Sequence, residues 1–354
     1  MPPEPVSVGI VGLGGIAAHH ADNLADHHAD LVGGVDSDET ARKAFAAEWS
    51  VPTYERVAPL LADAAAIFVT TPNRYHEEYA TAALEAGCDV LIEKPLAHTL
   101  ESAERIAEVA ADAAGNCLVG FNYRFAAPID VLTGYHDAGR FGEFTHVEAN
   151  YVRRRGIPGR GSWFTSKQLA GGGAIIDIGV HAIDLALSVL GFPEIAEVSA
   201  TTRAEFGTRE AYTYLHMWGD DEGPEAVDVE DAASAFIRTA DDRTIALEVA
   251  WATNRPRTDE FVFRGTDGGA IYDRKADSLT LFSAGAAGQE HLTETAVDTR
   301  DSNTHAAEVG YFLECVRSGT EPTKNTIDQG LAVQRVVDAI YRSAAAGRAV
   351  EVSE

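Results

Sequence analysis

Lysine is nearly missing from this chain of 354 residues: Lys43, Lys94, Lys167, Lys275 and Lys324 are all there are. Cysteine is as scarce. Cys88, Cys117 and Cys315 are scattered, odd in number and set among apolar neighbours, which argues for buried thiols over a disulfide or metal set. No apolar run is long enough to span a bilayer. The opening MPPEPVSVGIVG lacks a basic segment followed by a long apolar stretch, so no signal peptide and a cytoplasmic protein are expected. Positive charge is short overall: 28 Lys and Arg stand against 55 Asp and Glu, a net charge of -27. Such a charge repels nucleic acid and anionic membranes, so neither is an expected partner. The acid excess is dispersed along the chain, which points to a salt-adapted surface. Where lysine is this rare, a lysine beside a motif carries more weight.

The length allows two packed domains. Strands at Val6–Val11, Leu31–Val35, Ile67–Val69, Val90–Ile92 and Cys117–Val119 alternate with helical stretches near Glu39–Glu48, Tyr75–Ala86 and Leu100–Ala113. That alternation predicts right-handed βαβ units around a parallel sheet, a Rossmann domain over residues 1–122. Beyond it a helix (Pro128–Ala138), a strand (Thr145–Tyr151), a Gly- and Arg-rich loop and an apolar helix (Ala174–Leu190) lead into longer strands over Glu197–Leu281. The acidic segment Gly219–Asp231 reads as a surface loop. Helices at Asn303–Ser318 and Thr326–Ala346 end the chain. Strands without intervening helices predict a mostly antiparallel sheet in a second α/β domain, 123–354, whose last helix can pack back on the first.

Gly12-Leu13-Gly14-Gly15-Ile16-Ala17 fits G-x-G-x-x-[G/A] between a strand and a helix, the context the motif requires. Gly12 permits the tight turn, Gly14 admits a pyrophosphate, and the free N–H groups at Gly15 and Ile16 receive its charge. Asp36 ends the second strand, where a carboxylate takes ribose hydroxyls and repels a 2′-phosphate. The expected cofactor is therefore NAD ahead of NADP, with Arg42 and Lys43 close enough to soften the preference.

Two further loops follow parallel strands at the same sheet edge, where ligands bind. In Thr70-Thr71-Pro72-Asn73-Arg74-Tyr75-His76, the groups Thr71, Pro72, Asn73 and His76 are candidates for the nicotinamide ribose, against a plain turn and helix cap. Glu93-Lys94-Pro95 supplies the second set. Lys94 can donate to a substrate oxygen as negative charge develops on it, and a cis Pro95 would re-aim it.

The run Gly171-Gly172-Gly173 opens the apolar helix, on which Asp177, His181 and Asp184 fall at i, i+4 and i+7. Buried titratable groups are costly unless paired or functional. A carboxylate one turn from a histidine fixes its tautomer, leaving His181 able to act as a general base. The alternatives are a core histidine satisfied by Asp177, or a metal site, which lacks further ligands; Asp184 reads as structural. The three glycines would admit substrate or cofactor. Arg154, Trp163 and Lys167, in or beside RRRGIPGRGSWF, suit a polyol or sugar ring, and among Asn122, Tyr123 and Arg124 at the crossover one can reach the substrate.

Taken in order, the Gly12–Ala17 loop, Thr71-Pro72-Asn73, Glu93-Lys94-Pro95 and the GGG-x-x-x-D-x-G-x-H-x-x-D run resemble the glucose–fructose oxidoreductase / inositol dehydrogenase family over essentially the whole chain. The resemblance implies a Rossmann domain, then an open, mostly antiparallel sheet that forms dimer or tetramer contacts. It implies an NAD(P)-dependent dehydrogenase of a sugar or cyclic polyol. Lys94 would bind the reacting hydroxyl, His181 would remove its proton, and Asp177 would orient His181 or the substrate. Two other outcomes stay open: a glycosidase that retains NAD, and a non-catalytic dinucleotide sensor.

Overall fold

The computed structural model describes residues 4–215 and 220–352. Gly219, at the start of the acidic loop, and the first three residues of the N-terminal segment lie outside them. The chain forms two compact units, Met1–Asn122 with Asn303–Gln334, and Tyr123–Ser302 with Arg335–Glu354.

In the first unit, β1 (Val6–Val11), β2 (Ala29–Val35), β3 (Thr53–Tyr54), β4 (Ala66–Val69), β5 (Asp89–Glu93) and β6 (Cys117–Gly120) form one sheet in the order β3-β2-β1-β4-β5-β6. Every pair is parallel. Helices α1 (Gly15–Leu24), α2 (Glu39–Trp49), α3 (Ala58–Leu61), α4 (His76–Glu85) and α5 (Leu100–Asp112) connect the strands. The near-continuous apolar strands are those of a sheet covered on both faces. Val8, Ile10, Phe68, Leu91 and Leu118 form its core with Val309, Phe312 and Leu313 of the helix Thr304–Ser318. That packing draws 303–334 into the first unit, so an unbroken second domain over 123–354 is not what the chain forms. Strand order reverses between β1 and β4, and the Gly12 and Thr71 loops leave the carboxyl ends of those two strands.

The second unit carries α6 (Ala127–Asp137), β7 (Phe144–Val152), α7 (Lys167–Ala170), α8 (Val180–Val189), β8 (Ile195–Arg203), β9 (Ala232–Thr239), β10 (Thr244–Ala250), β11 (Thr258–Gly265), β12 (Gly268–Asp273), β13 (Ser278–Gly285), β14 (His291–Val297) and β15 (Val350–Glu351). Their order is β14-β13-β12-β11-β7-β10-β9-β8-β15. Only β7 with β10 is parallel; the remaining pairs are antiparallel. Burial alternates along β9, β10 and β11, the sign of a sheet with one covered face. Helix α8 packs against β7 and β10 on that face.

Two expectations need correction. The apolar helix is not α-helical throughout: Ile175–Gly179 forms a π turn before α8 begins, so Asp177 and His181 do not sit on one regular α face. The stretch Lys167–Val189 does have the length and composition to cross a membrane. Its most apolar window is 89% buried inside the protein, which makes it a core helix.

Candidate active site

In the first unit the loop after β1 is shaped by contact with the loop after β4. Gly12 has φ 92°, and a Cβ there would meet the Thr71 amide nitrogen at 2.7 Å; only glycine fits. Nothing lies within 4 Å of a Cβ placed on Gly14 or Gly15. Gly14 caps α1 without a side-chain hydrogen bond, and Ile16 stands in the first turn. Open space over a bare helix N-terminus fits a pyrophosphate. Two further details fit the rest of a dinucleotide. Asp36 ends at the loop, where its Oδ2 accepts from the Leu13 amide at 2.8 Å and Oδ1 from the Asp38 amide at 2.8 Å. The Thr71 hydroxyl is buried and has no hydrogen-bond partner among the described residues, whereas Thr70 is committed to the Val11 and Gly12 carbonyls. Pro72 leads into the turn Asn73–Tyr75, where Asn73 is buried. Arg42 donates to the Asp36 and Ser37 carbonyls, and Lys43 pairs with Glu39 on the surface.

His76 and Glu93 are not placed to hold the cofactor. His76 is fully buried, with Nδ1 2.9 Å from the Pro95 carbonyl and Nε2 2.9 Å from the Thr71 carbonyl. It stands between the two candidate loops, and a neutral ring donates to one of these carbonyls. Burial pulls its pKa down, against the pull of those carbonyls. Glu93 turns inward: His20 Nε2 lies 2.7 Å from its Oε1, and the Lys94 amide donates to its Oε2 at 3.2 Å. Burial works to raise this carboxyl. The His20 hydrogen bond and the nearby His20, His305 and Lys94 together bring it down to about 2. Burial takes His305 down to about 4. Lys94 follows β5, half-buried, and the Lys94–Pro95 bond is cis. The Asn122 amide donates to Thr304 Oγ1 at 2.8 Å and lies 3.3 Å from His305 Nδ1, and so serves its own unit.

The second unit holds the other half of the predicted set. Asp177 Oδ2 accepts from the Trp251 indole at 2.8 Å and lies 3.9 Å from Arg153 Nη1. His181 is buried, and its ring stacks on Tyr123 with centroids 4.3 Å apart and planes 10° apart. Arg124 is withdrawn from any substrate role: its Nε donates to Asp184 Oδ2 at 2.8 Å, both side chains are buried, and the guanidinium covers Phe192. Asp184 is therefore structural. Burial raises its carboxyl even with Arg124 beside it.

The triple glycine admits protein groups. Gly171 ends α7 at φ 89°. A side chain on Gly172 would collide with the Tyr341 hydroxyl, and one on Gly173 with the Glu230 carbonyl. Glu230 accepts from the Gly173 and Ile175 amides at 3.0 Å and from the Tyr341 hydroxyl at 3.0 Å, capping the start of the π turn. Arg154 is exposed, and Trp163 stacks on Phe164 at 3.8 Å. Exposed Lys167 lines a cleft of about 470 Å³ with Arg203 and Tyr341. It is Arg160 that the structure buries, with Nε and Nη2 on the Asp221 carboxylate at 2.6 and 2.7 Å, so it latches two loops together. All three cysteines are free and buried.

Sequence reasoning missed the surroundings of His181. Tyr151 and Arg274 lie against Tyr123, the ring stacked on His181, and Arg153 and Asp259 pair with them. One signal was available: in Asp259-Glu260-Phe261-Val262-Phe263 an aspartate takes the inward parity of two core phenylalanines.

Residues 6–121 match the family model described as "Oxidoreductase family, NAD-binding Rossmann fold", and 134–271 match the "GFO/IDH/MocA C-terminal domain". The chain is 32% identical to the D-glucoside 3-dehydrogenase of Escherichia coli, over 99% of both chains. It is 26% identical to a D-xylose 1-dehydrogenase (NADP(+)) of Haloferax volcanii, over 97% of this chain and 99% of that one. A levoglucosan dehydrogenase solved with NADH superposes with a TM-score of 0.87 at 22% identity, covering 99% of this chain and 100% of that one.

Proposed function

The chain belongs to the GFO/IDH/MocA oxidoreductase family, and from that membership we propose that it is an NAD(P)-dependent dehydrogenase of a sugar or cyclic polyol. The observation that carries the reading is the uncapped N-terminus of α1 beneath open Gly14 and Gly15, with Asp36 at the end of β2 and the unpartnered Thr71 hydroxyl. A nicotinamide dinucleotide held by these residues supplies the hydride acceptor. The chain's own residues then divide the work. Lys94 binds the oxygen of the reacting carbinol and favours its developing negative charge. His181 accepts the hydroxyl proton. Asp177, held by Trp251 and near Arg153, keeps a fixed carboxylate in the same half of the set. Asp36 favours NAD. Arg154, Trp163 and Lys167 are the proposed contacts to the rest of the sugar.

A panel of aldoses, glycosides, inositols and sugar acids with NAD and with NADP, followed by reduced-cofactor absorbance, tests the proposal. Net reduction with at least one free sugar or polyol is expected. Glycoside cleavage without net cofactor reduction would replace it with the NAD-retaining glycosidase. Cofactor binding without turnover of anything in the panel would favour the sensor. Association of copies through the open face of the nine-stranded sheet is part of the same proposal, and light-scattering mass reads it.

A further inference from the structure

The register of the second sheet builds a polar cluster under His181. Antiparallel pairing sets Asp259 of β11 opposite Tyr151 of β7. Arg274, just past β12, forms an ion pair with Asp259 and donates to the Tyr151 hydroxyl at 3.3 Å. Its guanidinium carbon stands 4.4 Å from the centroid of Tyr123, the ring stacked on His181. Arg153 donates to Tyr151 from the other side at 3.3 Å. Asp259 is 3% exposed and Tyr123 7%, so these charges act with little water between them.

Three ion pairs of the second unit flank this cluster and its helix: Asp177 with Arg153, Asp259 with Arg274, and Asp184 with Arg124 on the helix of His181 itself. The buried positions of β7 and β10, the strands on which α8 packs, are otherwise apolar: Val147, Ala149, Leu247 and Val249, with the Tyr151 phenol at the end. The guanidinium stands over Tyr123 and acts on that ring more strongly than its carboxylate partner Asp259 does. A cation one ring away disfavours a second positive charge on the imidazole.

We propose that Tyr123 and Arg274 are positioning residues for His181. Tyr123 fixes the plane of the imidazole, and Arg274 keeps that imidazole neutral and able to take a proton. The proposal rests on His181 being the base, so its test needs a readout that survives the failure of that reading.

That readout is the titration of His181 by NMR of histidine-labelled protein. The chain has 12 histidines, and His181→Asn identifies the signal. Arg274→Met alone would strand Asp259 as a buried unpaired charge, so Arg274→Met/Asp259→Asn is the variant to use. Its His181 midpoint should rise by about half a pH unit to one unit, with the acid limb of kcat/KM moving the same way. Tyr123→Leu should lower kcat about 10- to 100-fold with KM changed less than about threefold, and Tyr123→Phe, which keeps the ring, should restore most of the loss. An unmoved His181 midpoint in the paired variant overturns the role of Arg274. Undiminished kcat in Tyr123→Leu overturns that of Tyr123. If the wild-type protein oxidises no sugar, the dehydrogenase reading falls while the NMR midpoint still decides whether Arg274 holds His181 neutral.

Discussion

Glu93→Gln is the most informative single change in the first unit. The glutamine can still accept from the Lys94 amide and face His20, so the substitution removes the charge and little else. Burial pushes this carboxyl up, and the His20 bond with the charges of His20, His305 and Lys94 outweighs it, lowering it from 4.5 to about 2. A carboxyl that titrates that far below its ordinary range stabilises the fold as its anion by about 3 kcal/mol. The sign follows from the direction. A depressed acid gives its full stabilisation above about pH 4.5 and loses it as pH falls toward about 2. Urea unfolding of wild type and Glu93→Gln at a series of pH values reads this directly. The variant should be less stable at neutral pH by up to about 3 kcal/mol, since His305, taken down to about 4, adds no charge there, and the gap should narrow steadily below about pH 4.5. Equal stability at neutrality, or a gap undiminished near pH 3, would refute the account. Because the glutamine keeps the Lys94 amide bond, the Kd for the dinucleotide should change less than about threefold.

Four shorter predictions accompany it. Lys94→Ala should abolish turnover and keep dinucleotide binding by fluorescence titration; full activity would remove Lys94 from the mechanism. Asp36→Ser should cut the ratio of kcat/KM with NAD to that with NADP by about tenfold or more, because the carboxylate that repels a 2′-phosphate is gone; an unchanged ratio would mean that Asp36 does not read the ribose. Arg124→Met should cost about 3–5 kcal/mol in denaturant unfolding by stranding Asp184, and Arg124→Met/Asp184→Leu should recover much of it. Thermal unfolding across KCl concentrations should show rising stability toward molar salt, since screening relieves repulsion among the excess carboxylates; equal stability in dilute buffer and molar salt would count against a salt-adapted surface.

Much of the first unit could be read from the chain because its strands are short, mostly apolar and spaced by helices. The exceptions have local causes. Thr53–Tyr54 is a strand of only two residues, too short for any periodicity. Thr304–Ser318 shows a helical pattern, but nothing in a pattern says which core Phe312 and Leu313 enter. The π turn at Ile175–Gly179 is equally silent, since Ile-Ile-Asp-Ile-Gly suits an α-helix as well. Its start is capped by Glu230, a residue that the sequence places more than fifty positions away.

The site divides along a physical line. Residues whose chemistry is local, a glycine at positive φ or a lysine after a strand, announce themselves by type and neighbours. Residues whose chemistry depends on a partner do not. His76 and Glu93 look like ligands because they stand in ligand-bearing loops, yet each is engaged by the protein itself: His76 between the Thr71 and Pro95 carbonyls, Glu93 on His20 and Lys94. Arg124 looks available until Asp184 is found 2.8 Å from its Nε. The cluster under His181 is the extreme case. Tyr123, Tyr151, Asp259 and Arg274 come from four separate elements, and what joins them is the pairing of β11 with β7. A slip of one residue in that register would turn Asp259 outward and bring Glu260 inward, leaving Arg274 without its carboxylate. Strand register in the second sheet therefore bears on the proposed base as directly as the residues that touch it.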